Sequence, residues 1–277
     1  MQRLAWAGFA FDLPDTWEVT AYHTDPLRGQ FQVHDRFDPR GQLTWTHFPA
    51  PPDAARLLGD QHRRLREERA LPHRDAVVQT RGALVLIPAE DGLPHQLGRW
   101  FPERGLWVHW SLDPAVPMTT VDAIAAGSTV RTDGHTERSV FGLTAILPDD
   151  FTCERLDPHP GSVALVGEGR SHLRVIVRRL GLARHLLDGR TVGQVAGRLL
   201  RGDLAQIDDV QETTIRGHAG ARIRYRQRGE HALEKAMGRR WPGEAIAWHD
   251  PMGNRLWLVA QVGPRKAPRL DPLGIVP

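Results

Sequence analysis

The phrase Leu-Pro-Asp-Thr-Trp at 13–17 returns as Leu-Pro-Asp-Asp-Phe at 147–151, 134 residues further on. The stretches after the two copies are also alike, and that parallel order limits the fold more than any composition does. After the first comes "DPLRGQFQV" (25–33); after the second comes "DPHPGSVAL" (157–165). Both are Asp-Pro-x-x-Gly, a turn, because proline fixes φ and glycine accepts positive φ. The alternating run behind each turn predicts a strand with one face buried. "QLTWTHF" (42–48) and "HLRVIVRRL" (172–180) predict the next pair of strands.

Each half then offers a helix. In "PPDAARLLGDQHRRLREER" Pro52 and Asp53 suit an N-terminus, with Ala55, Leu57, Leu58, Gln61 and Leu65 at near-helical spacing. In the second half Thr191 can cap "VGQVAGRLLRGDL", where Val192, Val195, Leu199 and Leu200 form the apolar stripe. Strand-turn-strand patterns come next at 76–88 and 210–225, with Arg-Gly at 81–82 and again at 216–217. Tryptophan-bearing strands close both halves, "GLWVHWSL" (105–112) and "NRLWLVAQV" (254–262). The offset moves from 134 to 130, back to 135, and to 150 at the last strand. Loop insertions in a doubled domain produce such drift, since loops tolerate length change better than strands. The added residues fall in "EHALEKAMGRRWPGEAIAWHDPMG", read as a helix or long loop. A single large α+β domain with recurrent turn words is the competing reading.

The expected fold class is therefore α+β, two tandem domains, each an antiparallel sheet with packed helices. The first spans 1–130 and the second 141–277. Between them, 131–140 reads as a linker within the polar, aperiodic "STVRTDGHTERS" (128–139). "TTVDAIAAG" predicts a short helix closing the first domain, and "GPRKAPRLDPLGIVP" an irregular C-terminal strap.

An N-terminal strand ending in Leu-Pro-x-x-Trp/Phe, then a Gly-led turn, two strands, a helix, a strand with Arg-Gly at its turn and a closing strand resembles the PsbP-like fold. That fold includes bacterial DcrB-like proteins and the adaptor chaperones of type VI secretion effectors. The resemblance spans approximately 9–127 and 141–262, with Phe151 where the pattern has tryptophan. It implies a sheet backed by helices in each half and a binding, assembly or chaperone role. It supplies no catalytic residues to carry over.

Composition narrows the function classes. Forty per cent hydrophobic and 25% charged residues suit a globular chain. The N-terminus lacks a signal-peptide pattern and no apolar run is long enough for a membrane helix, so a cytoplasmic location is expected. Cys153 is the single cysteine, which rules out an internal disulfide and a Cys-based metal site. Fourteen histidines show neither His-Glu-x-x-His nor His-x-His spacing, and "WHD" at 248–250 precedes a turn, so no metal or cofactor is expected. There is no Gly-x-Ser-x-Gly, and "GEGRSH" (167–172) reads as a hairpin turn rather than a phosphate cradle. No catalytic residue is assigned.

Two patterns point to a partner. Arg222, Arg224, Arg226 and Arg228 alternate along one strand, facing away from Ile223 and Tyr225, and guanidinium forks bind carboxylates or phosphates. The bland reading is a solvated face neutralised by Asp and Glu. Trp100, Trp107 and Trp110 crowd eleven residues, with Trp107 and Trp110 on opposite strand faces. One face can be core; the other should meet a helix, the sister domain or a partner. Arg63, Arg64, Arg66 and Arg69, interleaved with Glu67 and Glu68, read as ordinary surface charge. Residues 1–140 carry a net −3 and 141–277 a net +6, and the whole chain +3. With so small an excess and no recognised module, nucleic-acid binding is unsupported. These residues predict a non-enzymatic protein-binding accessory or chaperone-type subunit, with another protein as partner and self-association left open. The alternatives are a hydrolase with a site between the domains and a nucleic-acid-binding second domain.

Overall fold

A computed structural model describes residues 1–25, 27–36, 38–159, 161–169, 172–202, 205–228, 240–264 and 274–276. The Leu-Pro phrases prove to be one turn built twice. The Trp17 amide donates to the Pro14 carbonyl at 3.1 Å, and the Phe151 amide donates to the Pro148 carbonyl at 3.0 Å. Both rings are buried, so tryptophan and phenylalanine interchange without changing the turn. A left-handed pair of residues precedes each phrase as well. Ala7 and Gly8 have φ of 49° and 91°, and Phe141 and Gly142 have 53° and 65°. Two consecutive left-handed residues twist a two-residue turn to match its flanking strands.

The first ten strands are β1 (Gln2–Trp6), β2 (Phe9–Leu13), β3 (Trp17–Thr24), β4 (Arg28–Asp35) and β5 (Asp38–His47), then β6 (Gln79–Arg81), β7 (Leu84–Ile87), β8 (His95–Phe101), β9 (Leu106–Leu112) and β10 (Thr129–Val130). Helix α1 (Ala54–Glu68) comes after β5, and α2 (Met118–Ala126) after β9. The next ten are β11 (His135–Val140), β12 (Leu143–Pro148), β13 (Thr152–His159), β14 (Ser162–Glu168) and β15 (Arg174–Leu180). They continue with β16 (Ala205–Ile215), β17 (His218–Arg228), β18 (Arg240–Asp250), β19 (Arg255–Val262) and β20 (Gly274–Val276). Helices α3 (Ala183–Leu186) and α4 (Val192–Gly202) lie between β15 and β16.

One seven-stranded sheet runs β3-β4-β5-β9-β8-β7-β6 and the other β13-β14-β15-β19-β18-β17-β16. Adding ten to each strand number of the first gives the second. All registered pairs are antiparallel, and the fold is α+β. The chain divides into compact units at Met1–Gly142 and Leu143–Pro277. In the first, a small sheet runs β10-β2-β1-β11; in the second, β12 pairs with β20.

The strand β11 occupies residues expected to be linker. Its polar letters conceal inward positions: Arg138 is buried with its guanidinium 4.7 Å from the Trp6 ring, and the Ser139 hydroxyl donates to the Arg3 carbonyl at 3.0 Å. A cation over an indole is a favourable contact for a charge that hydropathy would place outside. Residues 240–250, expected as helix or loop, are β18; 229–239 lie outside the described residues. Of the C-terminal strap, 274–276 are strand and 265–273 lie outside the described residues, as do Arg170 and Ser171 of the expected hairpin.

In the first unit both faces of the seven-stranded sheet carry a covering layer, one of them only in part: α1 lies over β7 and β8 and leaves β4 and β5 uncovered on its side. Trp107 packs with Leu58 of α1, Val85 and Ile87. On the opposite face Trp110 meets Phe11 edge-on at 5.4 Å, and Trp45 lies 5.7 Å from Phe9 and 5.1 Å from Phe31. Helix α1 begins at Asp53, whose carboxylate accepts the Arg56 amide at 3.0 Å. Its buried stripe is Leu58, His62 and Arg66, two of them polar. Arg66 is 2% exposed rather than a surface charge. It donates to the Pro72 carbonyl at 2.8 Å, to Glu90 at 3.0 Å and to Asp91 at 3.0 Å, pinning the helix to the loop after β7. In the second unit Thr191 and Gln194 form a reciprocal capping box at 3.2 and 3.0 Å. Val192, Val195, Ala196 and Leu200 of α4 then pack on Ile223, Tyr225, Leu256 and Leu258.

The tight fit of the first sheet gives a direct test. A Cβ added at Gly98 would stand 2.3 Å from the Trp107 ring. Gly98→Ala should therefore lower unfolding stability by about 1–3 kcal/mol in denaturant titration. An unchanged midpoint would mean that Trp107 is not held where the packing puts it.

Candidate partner-binding surfaces

The arginine row lies on β17 as the alternation requires. Arg222, Arg224 and Arg226 are exposed, while Ile223 and Tyr225 are buried against the α4 side. The Arg228 side chain lies outside the described residues. Strand β16 carries the acids that meet the row. A bulge between Ile207 and Asp209 breaks the alternation there, letting the consecutive Asp208 and Asp209 serve two neighbouring arginines. Arg226 forks onto Asp208, with Nε at 2.9 Å and Nη2 at 3.0 Å. The Arg224 Nη2 reaches Asp209 at 2.8 Å, and Glu244 lies directly across from Arg224 on β18. Hydrogen bonds to Asp209 and Asp208 raise the two guanidinium pKa values further above their ordinary level. The row is thus an ordered mosaic of both signs on an exposed sheet face.

The tryptophans belong to the first unit and the arginines to the second. Trp107 is 6% exposed and Trp110 is 1% exposed; both rings are occupied by the two-sided core. Trp100, half-buried, packs against the margin of the cluster formed by Leu58, Val85, Ile87 and Trp107. Trp107 and Trp110 therefore offer no free ring surface. The tryptophan strands also superpose differently from their letters. Trp107 faces α1, whereas in β19 Leu256 and Leu258 face α4 and Trp257 takes the opposite face, stacked 5.8 Å from Trp248. The offset between these strands is consequently odd, not 150, because a one-residue shift exchanges the faces.

A surface that the sequence pattern does not single out lies on the α1 side of the first sheet. Helix α1 covers β7 and β8. Beyond it, on β4, β5 and β9, Gln32 is exposed and Gln30, Gln42, Thr44 and Ser111 are half-buried. Beneath them His109 is 5% exposed, and burial pushes its pKa down to about 4, so the ring is neutral. Its Nε2 is 2.6 Å from the Gln96 carbonyl oxygen, so Nε2 carries the proton and Nδ1 accepts from the Thr44 hydroxyl at 3.4 Å. The Gln96 amide donates onward to the Ser111 hydroxyl at 3.1 Å, and the Gln42 amide donates to the Gln30 oxygen at 2.8 Å. The signal in the sequence is the Gln42-x-Thr44-x-Thr46 alternation, which reads only as a polar strand face until the buried histidine beneath it is located.

The remaining candidates resolve into structural roles. Asp250 of the "WHD" stretch caps its own turn, accepting the Met252 and Gly253 amides at 3.1 Å each. Cys153 is half-buried, its sulfur 3.8 Å from the Arg155 carbonyl. Among the described residues no group of three His, Cys, Asp or Glu side chains is placed to hold a metal, and no helix is long and apolar enough to cross a membrane.

No protein-family model matches the chain, and no curated protein does. Solved structures that resemble it include the immunity protein TplEi of the T6SS from Pseudomonas aeruginosa, complexed with "L" peptide. It is 10% identical over 97% of this chain and 89% of that one, with a TM-score of 0.35. The apo structure of the same immunity protein is 10% identical over 96% and 89%, with a TM-score of 0.33.

Burying neutral His109 links stability to pH. The folded pKa lies below the unfolded value of 6.5, so the unfolded chain binds the extra proton between them. Stability is full above pH 6.5 and falls as pH drops towards 4, by about 3 kcal/mol for a shift of this size. His95, its pKa also lowered by burial, adds a loss of the same sign. Urea unfolding across this range should show the fall, and His109→Gln should flatten it in part. An equally steep fall in that variant would remove His109 from the account.

Proposed function

We propose that the chain is a non-enzymatic protein-binding accessory or chaperone-type subunit, built from two PsbP-like units, whose partner docks on the uncovered sheet face of the first. The observation that carries this is the chain of oriented side chains Thr44, His109, Gln96 and Ser111 beside Gln42 and Gln30. Amides and hydroxyls at strand spacing present donors and acceptors together, the chemistry that reads a protein surface without selecting net charge. Because neighbouring groups already fix their rotamers, docking loses less side-chain entropy than it would on free glutamines. The mixed-sign row of Arg222, Arg224 and Arg226 with Asp208 and Asp209 suits a second contact that sets orientation, since charge complementarity governs register more than affinity. Trp100, at the margin of the first unit's helix side, would border the docking face; Trp107 and Trp110 would support it from below.

The test is quantitative affinity purification from the native host with the whole chain as bait. Wild-type protein should retain a stoichiometric partner, and Gln42→Arg/Thr44→Arg should lose it while keeping its thermal midpoint. Arg222→Glu/Arg226→Glu should weaken retention and make it more sensitive to salt. Retention unchanged in the Gln42/Thr44 variant would refute docking on this face.

A further inference from the structure

The opposite face of the first sheet holds a groove of about 520 Å³ between the β6–β8 strands and α2, lined by Arg81, Ala83, Leu84, Arg99, Asp122, Ala125 and Ala126. Two guanidinium groups and one carboxylate leave it with one net positive charge. The two arginines are differently engaged. Arg81 is exposed and bound, donating to Asp122 at 2.9 Å and to Gln79 at 3.3 Å. Arg99 is half-buried and held from one side. Its Nη1 donates to the Ser128 carbonyl at 3.0 Å and to the Ser128 hydroxyl, and its guanidinium carbon stands 4.9 Å from the Phe101 ring centre.

These contacts leave the other edge of the Arg99 fork. Its Nε is buried and has no partner, and Nη2 makes no hydrogen bond among the described residues. Nε and Nη2 are the parallel pair of donors that a planar oxyanion accepts side-on. A buried donor left unpaired is costly, so an acceptor brought to this edge gains more than it would at a hydrated arginine. Apart from Arg81 and its partner Asp122, the rest of the lining is aliphatic: Ala83, Leu84, Ala125 and Ala126.

We propose that this groove binds a small aliphatic monocarboxylate, with the carboxylate on the Nε–Nη2 edge of Arg99 and the alkyl group against the alanines and Leu84. The single net charge suits a monoanion over phosphate, and the acidic Asp122 penalises a second negative charge. The same chemistry is offered by a free short-chain acid and by the C-terminal carboxylate of a peptide ending in a small residue. The site is independent of the partner-docking face, which lies on the other side of the sheet.

The experiment is an amide NMR titration of the full chain with four probes: butyrate, N-acetyl-leucyl-alanine as free acid, the same peptide amidated, and inorganic phosphate. Butyrate or the free-acid peptide should shift resonances of residues 81–84 and 122–128, and the amidated peptide should not. Tighter binding of the peptide assigns a chain terminus, and tighter binding of butyrate a free acid; both uphold the site. Arg99→Lys keeps the charge and removes the fork, and should weaken binding about tenfold or more. Asp122→Asn, a change at the exposed rim, should strengthen it severalfold even if the Arg99 variant proves unstable. No response of the wild type to either carboxylate, phosphate binding as tightly as butyrate, or equal binding by folded Arg99→Lys would each overturn the assignment.

Discussion

The central strands of each seven-stranded sheet are buried on both faces, and the period of two along a strand then fixes what each residue must do. In β9 this puts Trp107 under α1 and Trp110 against the β1–β2 hairpin. A strand so used cannot slip by one residue without sending every side chain into the wrong layer. Helices, hairpins and loops are arranged around that requirement. Pro14 leads from β2, and Pro148 from β12, through the same turn into the first strand of a large sheet, and the aromatic residue after each turn is buried. The repeated five-residue phrase is the sequence of that corner.

Two-sided burial also decided which parts of the fold could be read from letters. Turns were legible because proline, glycine and aspartate impose their geometry locally. The α4 cap was legible because Thr191 and Gln194 satisfy each other within one turn. Residues whose burial depends on distant partners were not. Arg66 looks like any helix-surface arginine until Pro72, Glu90 and Asp91 are brought to it. Strand β11 looks like a linker because Thr136, Arg138 and Ser139 are polar, and their burial becomes legible once β11 is paired with β1 and set against the Trp6 ring. Matching letters misled on register. The shared Arg-Gly sits one position apart in the two hairpins, with Gly82–Ala83 as one turn and Arg216–Gly217 as the other. Tertiary packing selected the register in each case.

The two seven-stranded sheets share a strand order and differ in the chemistry of their outer surfaces. On β4 and β5 of the first, the helix-side face beyond α1 carries Gln30, Gln42 and Thr44 around neutral His109. On β13 and β14 of the second, the strands that correspond to β3 and β4, the sheet carries Arg155, Asp157 and His159, with His159 2.9 Å from Asp157, and Glu168 paired with His172 at 2.8 Å. A neutral hydrogen-bonding face and a charged one answer to different surfaces.

Edges narrow the remaining choices. An outer strand with free amides invites another chain to pair with it, and natural sheets discourage this with bulges, short strands and charge. Three of the four outer strands of the two seven-stranded sheets have a register shift: β3 between Val19 and Ala21, β13 between Cys153 and Arg155, and β16 between Ile207 and Asp209. The fourth, β6, has three residues and carries Arg81. In β16 the bulge also sets the two aspartates that order the arginine row. The irregularity that discourages strand addition at this edge thereby builds the mixed-charge face beside it.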